Sequence, residues 1–125
     1  MEVKINTKEK FHVITILDEN LSANMIAEIS NKLLPFLQNV VKNIVLKMEN
    51  VKQIDAPAAE TIAQVQQSYY EQNASFVICD LQKEVETELD KFELLDILNV
   101  TPSESEAWDI VQMEEIERDL LGGEQ

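Results

Sequence analysis

The pattern with the clearest chemical meaning is Asp55-Ala56-Pro57-Ala58, which follows an apolar run at residues 43–48 and a short polar stretch. The apolar run is rich in β-branched residues and predicts a buried strand. Pro57 favours a helix start, because the first helical positions need no backbone donor. Ala56 is then predicted to be the boundary residue, next to free N–H groups that attract anions such as phosphate. Because alanine has no hydroxyl group, the residue at this boundary cannot itself carry a phosphate.

The chain contains a single cysteine, Cys79, and a single histidine, His12. An intramolecular disulfide is therefore impossible, and so is a zinc cluster of cysteines and histidines. Both residues lie in strand-like runs, which favours buried structural roles over a nucleophile or a base. The only glycines are Gly122 and Gly123, which excludes a glycine-rich phosphate-binding loop. We expect no catalytic residue, no metal and no cofactor.

The chain is strongly acidic, with 24 Asp and Glu residues against 10 Lys and Arg residues and a formal net charge of −14. Such a field repels nucleic acid and anionic membranes and attracts a partner with a basic face. The alternative is that the acidity only aids solubility. Acidic residues also recur along the predicted third helix, at Asp80, Glu84, Glu86, Glu88 and Asp90. Because a metal site needs converging ligands, we interpret this band as a solvated helix face.

The start of the chain lacks the apolar segment of a secretory signal, and no apolar run approaches the roughly 20 residues that span a bilayer. We therefore expect a cytoplasmic protein with no membrane insertion. At 125 residues, of which 45% are hydrophobic, the chain is long enough for one domain with a full core.

The elements that must position these residues alternate in type along the chain. Apolar runs predict strands at about residues 3–6, 11–16, 43–48, 75–79 and 98–100, the first two joined as a hairpin. Apolar residues at three- and four-residue steps predict helices at about 22–37, 57–73, 83–95 and from 103 to the glycine pair. This order predicts an α/β fold: a central, mostly parallel or mixed sheet of about five strands, with about four helices.

Local signals mark the helix ends. Ser22 is predicted to cap the first helix, and Pro35 to bend or locally loosen its last turns. Ser103 and Glu106 have the spacing of a capping box for the fourth helix, and the pair Gly122-Gly123 is predicted to end it.

The fourth helix is acidic, and its apolar residues are spaced to form a side. These residues are Ala107, Ile110, Met113, Ile116 and Leu120. Residues 114–121 are acidic outside and apolar on one side, and we interpret this segment as docking back on the sheet or as meeting another protein. Trp108 is interpreted as packed, with the anchoring of a partner as the alternative.

With these elements and motifs in place, the chain resembles the STAS domain family of bacterial anti-sigma factor antagonists, over about residues 9 to 112. Residues 17–24 are similar to the family's Leu-x-Gly-x-Leu-Asp segment, with Glu19 in place of the glycine and Ser22 in place of the aspartate. Residues 43–59 resemble the family's strand followed by Asp-Ser-Ser-Gly. Residues 89–100 resemble its helix and Gly-Leu turn, with Glu93 in place of the glycine.

The resemblance implies a switch that this chain lacks. In the family, the serine after the aspartate is phosphorylated by an anti-sigma factor kinase, and the phosphorylated form releases that kinase. Asp55 matches the aspartate, Ala56 the serine, Pro57 the next residue and Ala58 the glycine. Because these residues are small, we expect the segment to be exposed and to contact the partner. The resemblance adds Ser22 and Asn24 to that contact.

The implied organisation is a single STAS-like domain over residues 1–125. It has a first strand at 1–8, a family-like core at 9–112, and an acidic C-terminal helix and tail at 113–125. The predicted function is a non-catalytic, protein-binding regulatory module that docks to an anti-sigma factor or a kinase-like regulator.

Three alternatives stay open at this point. The chain is alternatively an adaptor subunit of a transport system or of a multi-protein assembly. The second alternative is an enzyme, although no nucleophile–base pair, metal set or phosphate loop is visible. In the third alternative, Ala56 and Pro57 simply start a helix and contact no partner.

Overall fold

The computed structural model describes residues 1–122, which form seven strands and four helices. The strands are β1 (Val3–Thr7), β2 (His12–Ile16), β3 (Asn20–Leu21), β4 (Ile44–Lys47), β5 (Gln53–Ile54), β6 (Phe76–Cys79) and β7 (Val100–Thr101). The helices are α1 (Ile26–Leu33), α2 (Ala56–Glu71), α3 (Lys83–Lys91) and α4 (Glu104–Gly122). Short 3-10 turns at Ala23–Met25 and Leu34–Gln38 flank α1.

Five strands form the central sheet, in the order β1-β2-β4-β6-β7. β1 pairs antiparallel with β2, with Val3 opposite Ile16. The other neighbours are parallel, with His12 opposite Ile44 and Ile78 opposite Val100. The expected hairpin and the parallel strands behind it are therefore confirmed, and helices connect the parallel strands, as in other mixed α/β folds.

The two faces of the sheet are covered unequally. Alternate strand residues such as Ile14, Leu46 and Ile78 point into the larger core, which α1, α2 and α3 fill. Val13, Val45 and Val77 point to the other face, where they pack against Ala107 and Val111 of α4. Three helices thus cover one face, whereas α4 covers the other.

The first helix begins later than predicted. Ser22 precedes the 3-10 turn, its side chain makes no capping bond, and α1 proper starts at Ile26. Ser22 therefore holds the predicted N-cap position, but it caps the 3-10 turn rather than α1 and makes no side-chain hydrogen bond there. At the other end, Pro35 lies in the 3-10 turn that follows Leu33. This agrees with the predicted loosening, because proline cannot donate the next helical hydrogen bond.

The third helix ends earlier than predicted, at Lys91 rather than near residue 95. Phe92 is its C-cap, and Glu93 adopts the left-handed conformation with φ of 61°. The N–H of Leu94 donates to the carbonyl of Leu89 (3.0 Å), and the N–H of Glu93 donates to that of Asp90 (3.0 Å). This is a Schellman motif, which normally has glycine at the left-handed position.

The fourth helix begins at its predicted cap. Ser103 lies directly before it, and its hydroxyl oxygen accepts a hydrogen bond from the N–H of Glu106 (3.3 Å). α4 then runs to Gly122 without a break at residues 112 and 113, where the core and the acidic helix and tail were expected to divide. Of the glycine pair that was expected to end it, Gly123 lies outside the described residues.

A polar network holds the second half of α4 on the sheet. The carboxylate of Glu114 accepts from the hydroxyl groups of Ser75 and Tyr70. The Asn43 amide donates to Glu115 (2.6 Å) and accepts from Arg118 (3.2 Å). These hydrogen bonds join α4 to the end of the sheet at which the strands β4 and β6 begin.

Candidate functional site

Asp55 is the organising residue of the predicted site. It is the N-cap of α2, and its carboxylate accepts a hydrogen bond from the N–H of Ala58 (3.0 Å). The second carboxylate oxygen accepts from the N–H of Ala23 (2.8 Å), in the 3-10 turn that precedes α1. One side chain therefore ties together the start of α2 and the turn in front of α1.

The boundary of α2 lies one residue earlier than predicted. Asp55 has the extended backbone of an N-cap, Ala56 is the first helical residue and Pro57 is the second. The prediction that Ala56 is the boundary residue was wrong, because the carboxylate of Asp55 is a stronger acceptor for the helical N–H groups than any group of alanine. The expected anion site is already filled by this carboxylate, and Pro57 has no N–H to offer.

The four residues of the segment differ in exposure. Pro57 is exposed, Asp55 and Ala56 are half-buried, and Ala58 is buried in the core. The expectation that the whole segment is exposed was therefore wrong for Ala58, which faces the sheet from the first turn of α2. A partner can reach the ring of Pro57 and the methyl group of Ala56, but not Ala58.

Ser22 and Asn24 lie beside this segment, in the turn that Asp55 contacts through the N–H of Ala23. The hydroxyl group of Ser22 donates to the side-chain oxygen of Asn24. Ser22 is half-buried and Asn24 is exposed. The pair belongs to the turn that Asp55 holds through Ala23, so five of the six expected residues contribute to one accessible surface, which we call the Asp55 surface: Ser22, Asn24, Asp55, Ala56 and Pro57.

A second, two-stranded parallel sheet brings the two halves of this surface together. β3 pairs with β5, with Asn20 opposite Gln53 and Leu21 opposite Ile54. Leu21 and Ile54 are buried, and the N–H of Asp55 donates to the carbonyl of Leu21 (3.1 Å). The sequence analysis missed this ribbon. Its only signal is one apolar residue in each of two polar stretches.

A groove of about 690 Å³ borders the Asp55 surface. Ser22, Asp55 and residues of β3 and β5 line it, together with Glu84 and Glu88 of α3. Lys52 also lines the groove and forms an exposed ion pair with Glu19 (3.1 Å). Carboxylates outnumber the single lysine here, so the groove favours a partner with basic side chains.

The remaining candidates have structural surroundings. His12 is buried, and its ring nitrogens hydrogen-bond to Thr7 (2.9 Å) and to the carbonyl of Val41 (3.0 Å). Cys79 is buried, and burial together with the Asp80 and Glu104 carboxylates raises the pKa of its thiol to about 12. A thiol in this state is a poor nucleophile, because the thiolate is the reactive form.

Neither a metal-binding cluster nor a membrane-spanning helix is found in the part of the chain that the structure describes. Across residues 1–122, no three or more His, Cys, Asp or Glu side chains are arranged to hold a metal ion. Over the same residues, no helix combines the length and the apolar character needed to cross a membrane.

Comparisons with known proteins agree on one family and one fold. The sequence profile of the STAS domain family matches residues 2–107. Among curated protein sequences, none matches the chain.

Several solved structures share the fold at low sequence identity. A candidate anti-sigma factor antagonist from Thermotoga maritima is 19% identical, with a TM-score of 0.74, over 88% of this chain and 94% of that one. The anti-sigma factor antagonist SpoIIAA in its unphosphorylated form is 15% identical, with a TM-score of 0.69, over 89% and 96%. A murine anion transporter of the solute carrier 26 family is 15% identical, with a TM-score of 0.66, over 83% of this chain and 18% of that one.

Proposed function

The chain belongs to the STAS domain family, and from this premise we propose that it is a non-catalytic regulatory module that binds an anti-sigma factor or a kinase-like regulator. In this proposal the Asp55 surface is the contact, and the contact carries no phosphorylation switch at residue 56. We further propose that the chain acts in the cytoplasm as a single domain over residues 1–125.

The observation that carries the proposal is the double hydrogen bond of Asp55. Its carboxylate reaches Ala58 in α2 and Ala23 in the turn before α1. A side chain that serves two helical starts fixes their relative position before a partner arrives. Pre-organisation of this kind strengthens binding, because less loop entropy is lost in the complex.

The chemistry of residue 56 supports permanent binding. In the resembling family this position holds a serine, whose phosphate adds about two negative charges at the first turn of α2. Ala56 presents a half-buried methyl group instead. The contact is therefore expected to be the same with and without ATP.

The test uses two variants at this position and one matched control. Ala56→Asp introduces a charge into the contact, whereas folding is retained because the first turn of a helix tolerates an acid. Ser105→Asp is the control, because Ser105 is exposed in the first turn of α4, which lies on the other face of the sheet. Ala56→Ser restores an acceptor hydroxyl group.

Each kinase-like regulator encoded in the source genome is purified and titrated against the three variants and the unchanged protein. We expect Ala56→Asp to weaken the affinity by at least about tenfold, since an unpaired charge is costly to bury, and Ser105→Asp to leave it within about twofold. ATP should release Ala56→Ser but not the unchanged protein. Equal affinity of both aspartate variants would exclude the Asp55 surface, and the adaptor hypothesis would replace the proposal.

A further inference from the structure

The fourth helix has apolar residues on two opposite faces. The inner face packs on the sheet through Ala107 and Val111. Further along the helix, Met113, Ile116 and Leu120 are exposed, with 60%, 60% and 66% of their surfaces accessible. We call these three residues the outer stripe.

The spacing of the residues explains why the outer stripe leaves the sheet. Successive residues of an α-helix are about 100° apart around its axis, so a step of three falls about 60° short of a full turn. Three such steps lead from Ala107 to Ile116, which therefore lies on the opposite side of the helix. The apolar side expected from the sequence thus winds around α4, and its second half faces outwards.

The helix α4 cannot rotate about its axis to bury the outer stripe. The hydrogen bonds of Glu114 to Ser75 and Tyr70, and those of Asn43 to Glu115 and Arg118, hold the same turns of α4 on the sheet. Turning the outer stripe inwards would break these bonds and leave buried polar groups without partners, which is costly. The stripe is therefore a permanent feature of the surface.

The charged residues of α4 that border the outer stripe are all acidic. α4 contains seven acidic residues and one basic residue, Arg118. Arg118 belongs to the network on the inner side, where it bonds to Asn43 and Glu115. Asp109, Glu117 and Asp119 are exposed and border the stripe.

We propose that the outer stripe binds an amphipathic helix of a partner protein, with apolar residues at three- and four-residue steps flanked by lysine or arginine. The stripe runs over about two helical turns, or roughly 10 Å, which suits the packing of one helix along another. Basic flanks would pair with the acidic border and steer the approach of the partner. A second copy of this chain would instead bring two acidic borders together, each on a chain of net charge −14.

This surface is separate from the Asp55 surface. α4 lies on the opposite face of the sheet from α1 and α2, and the outer stripe lies beyond residue 107, at which the STAS profile match ends. Two partners could therefore be held at once, and the test of one surface does not decide the other.

The binding test uses a labelled peptide of about 18 residues, or five helical turns, with leucines on one face and lysines on its flanks. Fluorescence anisotropy measures its affinity for the full chain. A scrambled peptide of the same composition and an otherwise identical leucine–glutamate peptide are the peptide controls. We expect only the ordered basic peptide to bind tightly.

The protein variants separate the stripe from general charge attraction. The double variant Met113→Ser/Ile116→Ser keeps the net charge and should weaken binding at least about tenfold, because two apolar contacts are lost. Ile97→Ser is the matched control, since Ile97 is 61% accessible and lies beside α2, where Gln66 donates to its carbonyl; it should change the affinity less than about twofold. Equal thermal unfolding of the variants shows that their folds are intact.

Three outcomes would overturn the proposal. The first is equal peptide binding by the double variant and the Ile97 control. The second is equal binding of the ordered and scrambled peptides, which would reduce the effect to charge. The third is a dimer in sedimentation velocity that the double variant abolishes, which would make a second copy the occupant.

Discussion

Replacing Glu93 with glycine should stabilise the protein. Glu93 holds φ at 61° in the Schellman motif that ends α3. The left-handed conformation costs an L-residue about 1–2 kcal/mol, because Cβ approaches the backbone. Glycine removes that cost but loses about 0.4–1 kcal/mol more conformational entropy on folding. Since Glu93 is exposed and its side chain buries little surface, the net gain in the free energy of unfolding is about 1 kcal/mol.

Two further substitutions isolate the backbone contribution. Glu93→Ala removes the same charge from the C-terminal end of α3 but keeps Cβ, so any change that it shares with Glu93→Gly is electrostatic. Asn73 has φ of 59° after α2, and asparagine tolerates this conformation better than glutamate. Asn73→Gly should therefore give a smaller gain than Glu93→Gly.

Urea denaturation and thermal scans measure these differences. For a chain of this length, 1 kcal/mol corresponds to a rise in Tm of about 3–5 °C. We expect that rise for Glu93→Gly and a change of less than about half as much for Glu93→Ala. If alanine and glycine stabilise equally, the charge and not the backbone is responsible, and a loss of stability in Glu93→Gly would refute the assigned left-handed cap.

Two more expectations concern ionisable groups. Burial and two neighbouring carboxylates raise the pKa of Cys79 to about 12, so native protein at pH 8 should react with a thiol reagent far more slowly than protein in denaturant; equal rates would mean that the thiol is accessible. Hydrogen bonds from Asn43 and Arg118 lower the pKa of Glu115 below its ordinary value of 4.5, so its stabilising effect is present above about that pH and is lost as the pH falls through the lower, folded value. Glu115→Gln should therefore flatten the acid decline of stability in urea titrations, and an unchanged slope in this variant would contradict the stabilising role of the Glu115 carboxylate.

The central sheet and its helices could be predicted because long apolar periods specify them. β2, β4 and β6 lie where the apolar runs predicted them, and the buried residues of α2, from Ala58 to Tyr69, lie within the helix predicted at about 57–73. In contrast, β3 and β5 have two residues each, which is too short for any period to show. Their pairing depends on contacts between residues that are more than 30 positions apart.

The misplaced helix ends have a related cause. Phe92 and Leu95 continue the apolar spacing of α3, yet both pack on the core from outside the helix: Phe92 is its C-cap, and Leu95 follows the turn at Glu93. The spacing of apolar residues alone cannot show whether such a residue belongs to the helix or to the chain that follows it. Likewise, the second bond of Asp55 reaches Ala23, 32 residues earlier, and no local pattern around residue 55 predicts it. The residue types of the Asp55 surface were thus predictable, but the way in which they are held was not.

The unequal covering of the sheet also affects the order in which its two faces are buried during synthesis. α4 is the last described element to leave the ribosome, and it covers the face that carries Val13, Val45 and Val77. The translation of its 19 residues takes on the order of one to four seconds. Once α3 has emerged and until α4 follows it, the nascent chain can close its three-helix side while the valines of the other face stay exposed to solvent. Chaperones that recognise extended apolar segments would bind the chain in this half-covered form. A ribosomal pause before α4 emerges would therefore lengthen the time in which they can bind.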